Sequence, residues 1–77
     1  MPTFFIIDGI KIDLYYNDHV PPHFHAIYAE YEELIEIDTL EVYRGTLPKK
    51  QHKKVIKWAK ENQSILKEIW ESMRPNK

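Results

Sequence analysis

Seventy-seven residues, no cysteine and a net charge of −1 exclude more than they suggest. A chain this short folds as one small domain with a thin core, so residues 1–77 read as a single unit that would gain stability from a partner. Lack of cysteine removes disulfides, thiol catalysis, redox sensing and zinc ribbons. A secreted mini-protein without disulfides is a poor fit, no apolar run nears the roughly twenty residues of a membrane span, and Phe4 to Ile7 is too short for a signal peptide. The expected compartment is the cytoplasm.

The first half of the chain alternates with period two. Thr3 to Ile7 is β-branched and aromatic, and Asp8-Gly9 is a strong two-residue hairpin signal. Ile10, Ile12 and Leu14 then alternate with Lys11 and Asp13, which gives a strand with one buried face. Tyr15 and Tyr16 prolong it, and Asn17-Asp18 supplies turn chemistry. Val20 to Pro22 is expected to be extended, because each proline fixes φ and restricts the residue before it. A third strand runs from His25 to Tyr31, Glu32-Glu33 turns the chain, and a fourth covers Leu34 to Asp38. Leu40 to Arg44 makes a short fifth strand or an irregular edge that ends at Gly45.

The second half repeats with period 3.6. Pro48 suits a first helical turn. Val55, Trp58, Ala59, Asn62, Ile65, Leu66, Ile69, Trp70 and Met73 then form one stripe opposite the lysines. Its phase allows one helix from Pro48 to Met73, while Asn62-Gln63-Ser64 offers a stop and an N-cap for two. Either way the fold class is α+β: a four- or five-stranded antiparallel meander followed by a long, kinked or broken C-terminal helix packed on one face. The predicted core is Phe4, Ile6, Ile10, Ile12, Leu14, Phe24, Ile35, Ile37, Leu47, Val55, Ala59, Leu66 and Ile69. Trp58 and Trp70 lie towards opposite borders of the stripe, so at least one is expected to be partly exposed.

Asn17-Asp18-His19-Val20-Pro21-Pro22-His23-Phe24-His25 holds three of the four histidines. In an extended chain His23 and His25 point to the same side, with Phe24 turned into the core. Two such imidazoles suit a divalent first-row metal such as zinc, with His19 folding back as a third ligand and Asp18 adding an oxygen. Glu30 falls on the opposite face and fits poorly. Three nitrogens and an open position would lower the pKa of a bound water to about 7. Without metal, imidazoles with ordinary pKa values of about 6.5 can take and give protons. With Arg44 or a helix lysine holding a phosphate, and tyrosines 15, 16 and 28 stacking on bases, that is a toolkit for cleaving RNA. Nine carboxylates in the same half of the chain oppose a polyanion. The structural alternative is that each ring bonds a main-chain carbonyl and orders a turn.

Charge is split along the chain. Through Leu47 nine acids face Lys11 and Arg44, a balance of −7; from Pro48 nine bases face Glu61, Glu68 and Glu71, a balance of +6. Lys49, Lys50, Lys53, Lys54 and Lys57, with Lys60, crowd the helix N-terminus, where the macrodipole disfavours each cation by roughly a few tenths of a kcal/mol. With Arg44 they form a candidate nucleic-acid or partner surface. The plainer reading is a solvated face, or an acidic sheet and a basic helix facing each other. His52 sits at the border of the stripe near Ile56 and reads as a packing residue.

The Asp18-His19-Val20-Pro21-Pro22-His23-Phe24-His25 run resembles the signature of a bacterial family known as domain of unknown function 4160. Ala26, Tyr28, Glu30, Gly45-Thr46-Leu47-Pro48, Trp58-Ala59, Leu66 and Trp70 continue the likeness over almost the whole chain. The lysine-rich helix start departs from it, since arginines are expected there, which keeps the charge but loses the bidentate fork. The resemblance implies a small cytosolic protein with no established activity, encoded beside another short domain as in toxin–antitoxin modules. It places the signature on the same histidines that the residues themselves single out.

Two functions follow as expectations. The first is a component of a two-gene module whose His19, His23 and His25, with Asp18, bind metal or act as an acid–base set; if an enzyme, it is a hydrolase or ribonuclease. The alternative is a non-enzymatic module that binds a cognate protein or nucleic acid through the lysine face. A homodimer is compatible with both.

Overall fold

Asp8 and Gly9 both take positive φ, 48° and 81°, the pairing that closes a two-residue hairpin with the twist of its strands. In the computed structural model, which describes residues 3–15 and 20–73, this turn joins β1 (Thr3–Ile7) to β2 (Ile10–Asp13). Three more strands follow, β3 (His23–Tyr28), β4 (Tyr31–Glu36) and β5 (Val42–Thr46). Every neighbour pairs antiparallel in the order β1-β2-β3-β4-β5, so the sheet is a five-stranded meander. Two helices complete the α+β fold, α1 (Lys49–Glu61) and α2 (Gln63–Met73).

Register sorts the side chains. Ile12 pairs with Ala26, and Phe24 with Ile35, so these share the face that Val55, Ala59 and Leu66 cover. Burying each of the large aliphatic and aromatic side chains here stabilises the fold by about 1.5–3 kcal/mol. Asp13, His25 and Leu34 are register partners on the other face.

Two core assignments from sequence are overturned on β1. Phe4 is 40% exposed and Ile6 68% exposed, whereas Phe5 and Ile7 pack against the core. Phe5 is opposite Ile12 and Ile7 opposite Ile10, and a register shift leaves Phe4 as an extra residue. The unbroken apolar run Phe4-Phe5-Ile6-Ile7 contains no alternation to set the phase. Ile69 is only partly buried, and Trp70 takes the buried place on α2 while Trp58 stays half-buried.

The β3–β4 turn also differs from expectation. It lies at Ala29-Glu30, with Ala29 at φ 53°, rather than at Glu32-Glu33, and Tyr28 pairs with Tyr31. Ala-Glu carries none of the usual turn chemistry, so the sequence hid it. Val20 and Pro21 form a bend with a cis peptide between them, where the sequence argued for an extended run. Pro22 then offers its carbonyl to Ile37 N–H at 2.9 Å, tying the end of this loop to the end of β4.

Asn62 breaks the helix. With φ −130° it leaves the helical region, its N–H donates to the Ala59 carbonyl and its Nδ2 to the Trp58 carbonyl, and its own carbonyl accepts from Leu66 N–H. One residue thus closes α1 and opens α2. Gln63 Nε2 donates to the carbonyls of Ile37 and Asp38 (2.8 and 3.1 Å), fixing α2 over the end of β4.

Charge complementarity joins the layers. Lys54 meets Asp8 at 3.1 Å and Lys67 meets Asp38 at 2.9 Å. Glu33, expected in a turn, is buried on the helix-facing side; its Oε2 accepts from Leu47 N–H at 3.1 Å, and His52 Nδ1 donates to its carboxylate at 2.9 Å. No helix among the described residues is long and apolar enough to cross a membrane.

Candidate functional site: a histidine face on the sheet

His23 and His25 alternate with the core residues Phe24 and Ala26, so both project from the face of β3 away from α1. Their ring centroids are 5.2 Å apart. His23 is 1% exposed, and its Nδ1 lies 2.8 Å from the Pro21 carbonyl. A carbonyl only accepts, so Nδ1 carries a proton, and in the neutral ring Nε2 carries the lone pair. His25 Nδ1 lies 2.8 Å from Glu32 Oε2, and the same argument puts its proton on Nδ1. The His25 side chain is 14% exposed and Glu32 lies near the surface, so this pair is within reach of solvent.

Glu32 comes to His25 through the turn at Ala29-Glu30. That turn pairs Ile27 with Glu32 and His25 with Leu34, which makes Glu32 the diagonal neighbour of His25 on one face. Across β2, Asp13 is the register partner of His25. It is fully buried; Tyr15 Oη donates to its Oδ2 at a long 3.4 Å, and its Oδ1 has no hydrogen-bond partner among the described residues. The Tyr15 ring stands edge-on to His25 with centroids 4.4 Å apart. Tyr43 and Trp70 flank His23, each with ring centroids 5.4 Å away. His23 is therefore buried between aromatic rings, and His25 is the more solvent-accessible of the two imidazoles.

Of the residues singled out from sequence, Asp18 and His19 lie outside the described residues. Those described do not complete a metal site by themselves: among them, no three His, Asp or Glu side chains group closely enough to hold an ion. Arg44 is the register partner of Leu34, itself opposite His25. It thus lies on the histidine face, two strands away, roughly 9.5 Å by strand spacing. Lys49, Lys50, Lys53 and Lys57 are exposed on α1, which covers the other face of the sheet, and Lys54 is engaged with Asp8. The structure separates the lysines from the imidazoles, so they do not form one phosphate-cleaving cluster. His52 bonds Glu33 on the helix-facing side of the sheet, the side away from His23 and His25.

Sequence reasoning missed Glu32 and Asp13. Glu32 was hidden by the misplaced turn. Asp13 shares the parity of Lys11, so alternation assigned it to solvent; only the pairing with His25 reveals its place.

Residues 9–71 match the family model described as "Domain of unknown function (DUF4160)". No curated protein and no solved structure matches the chain.

Proposed function

The chain belongs to the DUF4160 family, and on that footing we propose that its working surface is the histidine face, acting by general acid–base chemistry through His25. The observation that carries this reading is the 2.8 Å contact between His25 Nδ1 and Glu32 Oε2. A carboxylate on one ring nitrogen fixes the tautomer and leaves the other nitrogen to accept a proton. In this reading His25 Nε2 takes a proton from a water or a ribose 2′-hydroxyl and returns it to the leaving group. Arg44, on the same face, holds an anionic group such as a phosphoryl. The protein then serves as a hydrolytic or RNA-cleaving component of a two-gene module with a cognate small protein.

The test is RNA cleavage between pH 5 and 8 by the wild type and by His25→Ala and Glu32→Gln. Loss of a general base lowers the rate by about 10²–10⁴, and a single imidazole acting as the base gives a rate that rises with pH to a plateau. A wild type without activity, or a His25→Ala variant with full activity, defeats the reading.

One observation favours a second reading. Both imidazoles donate Nδ1–H to an oxygen acceptor, the outer-shell pattern that orients histidines towards a metal. His23 and His25, with His19 and Asp18, would then hold a divalent first-row ion. Elemental analysis decides this: stoichiometric metal that is lost in His25→Ala supports it, and a metal-free wild type rejects it.

A further inference from the structure

We propose that the flank of α1 bearing Lys49, Lys50, Lys53, Lys57 and Lys60 docks an acidic segment of a partner protein. This stands apart from the histidine chemistry, because α1 lies on the opposite side of the sheet. The sheet's acids account for part of the basic helix only: Asp8 takes Lys54, Asp38 takes Lys67 and Glu33 takes His52. The five remaining lysines make no ion pair among the described residues. The helix does not compensate them either, since its first turn has no acidic residue and its N-cap, Pro48, makes no side-chain bond. Like charges gathered against a helix dipole repel one another, and an anion laid along them removes that repulsion.

Shape narrows the occupant. His52, Lys53, Ile56, Lys57 and Lys60 line a shallow cavity of about 260 Å³. Ile56, packed on the core cluster, gives it an apolar patch between cationic walls. Such a volume takes one or two side chains. From Lys49 to Lys60 the flank spans about 16 Å, three turns of helix. A short segment with carboxylates around an aliphatic anchor matches this length, charge and patch.

Nucleic acid matches it less well. A duplex carries a charge every ~1.7 Å and would run past the lysines onto exposed Glu61 at the end of α1. The flank also carries no arginine to grip phosphate bidentately and no Phe, Tyr or Trp ring for bases to stack on.

Fluorescence anisotropy of the full chain tests this with three labelled probes. They are a 14-residue peptide of glutamates around two leucines, the same peptide with serine for leucine, and a 20-nucleotide RNA. The leucine peptide is expected to bind, to weaken about tenfold in the serine version, and to weaken about thirtyfold or more in Lys53→Glu/Lys57→Glu. Both lysines are exposed, so the variant keeps the wild-type melting temperature. RNA bound more tightly than the leucine peptide, equal binding of the two peptides, or no peptide binding overturns the proposal.

Discussion

Replacing Glu33 by alanine tests how the two layers are joined. The side chain is 5% exposed and accepts from Leu47 N–H at 3.1 Å and from His52 at 2.9 Å. A hydrogen bond to a charged group contributes about 1.5–3 kcal/mol, and its removal leaves the Leu47 N–H without an acceptor at a buried residue. His52 contributes less, because its side chain is 35% exposed and water replaces the carboxylate. Together with lost packing, the cost comes to about 3 kcal/mol. A chain of 77 residues has a total stability of about 4–12 kcal/mol. Glu33→Ala should therefore lower the melting temperature by about 12–24 °C, read by far-UV circular dichroism and confirmed by urea titration. Glu33→Gln keeps an acceptor for Leu47 and should lose about half as much. An alanine variant melting within about 4 °C of wild type would refute this account of the interface.

Backbone geometry makes Gly45 the least replaceable glycine: an added Cβ would meet the Glu32 carbonyl oxygen at 2.1 Å, at φ 81°. Gly45→Ala should cost about 3 kcal/mol or more in urea unfolding, against about 1 kcal/mol for Gly9→Ala, whose Cβ would meet only the Tyr28 ring at 3.8 Å. On β1, Ile6→Ser should change stability by less than about 0.5 kcal/mol, while Phe5→Ala, which loses the edge contact with Trp58, should cost about 2–4 kcal/mol. Gln63→Ala removes two bonds to the end of β4 and should cost about 1 kcal/mol, with faster amide exchange in α2 than in α1.

Where the chain alternates cleanly, its fold could be read directly. Ile10, Ile12 and Leu14 set the phase of β2, Asp8-Gly9 set the first turn, and the helical stripe marked the helical half, with Asn62 as a place for a break that the stripe's unbroken phase did not require. Where alternation fails, the reading failed with it. Four consecutive apolar residues gave β1 no phase, and an Ala-Glu turn gave no signal, which displaced Glu32 and Glu33 into a loop. The site divides along the same line. Period two put His23 and His25 on one side because their spacing is local. Glu32 and Asp13 join them only through cross-strand register, a long-range property that composition and spacing do not carry.

Which ring nitrogen of His25 holds its proton decides whether Glu32 orients a base. A long-range ¹H–¹⁵N correlation spectrum of the uniformly labelled protein, recorded at pH about 8, reads this for each histidine. The hydrogen bonds to Pro21 and Glu32 predict a proton on Nδ1 of both His23 and His25, and Glu32→Ala should change the pattern of His25 alone. A His25 proton found on Nε2, or a His25 pattern unmoved by Glu32→Ala, would contradict the dyad and the acid–base site built on it.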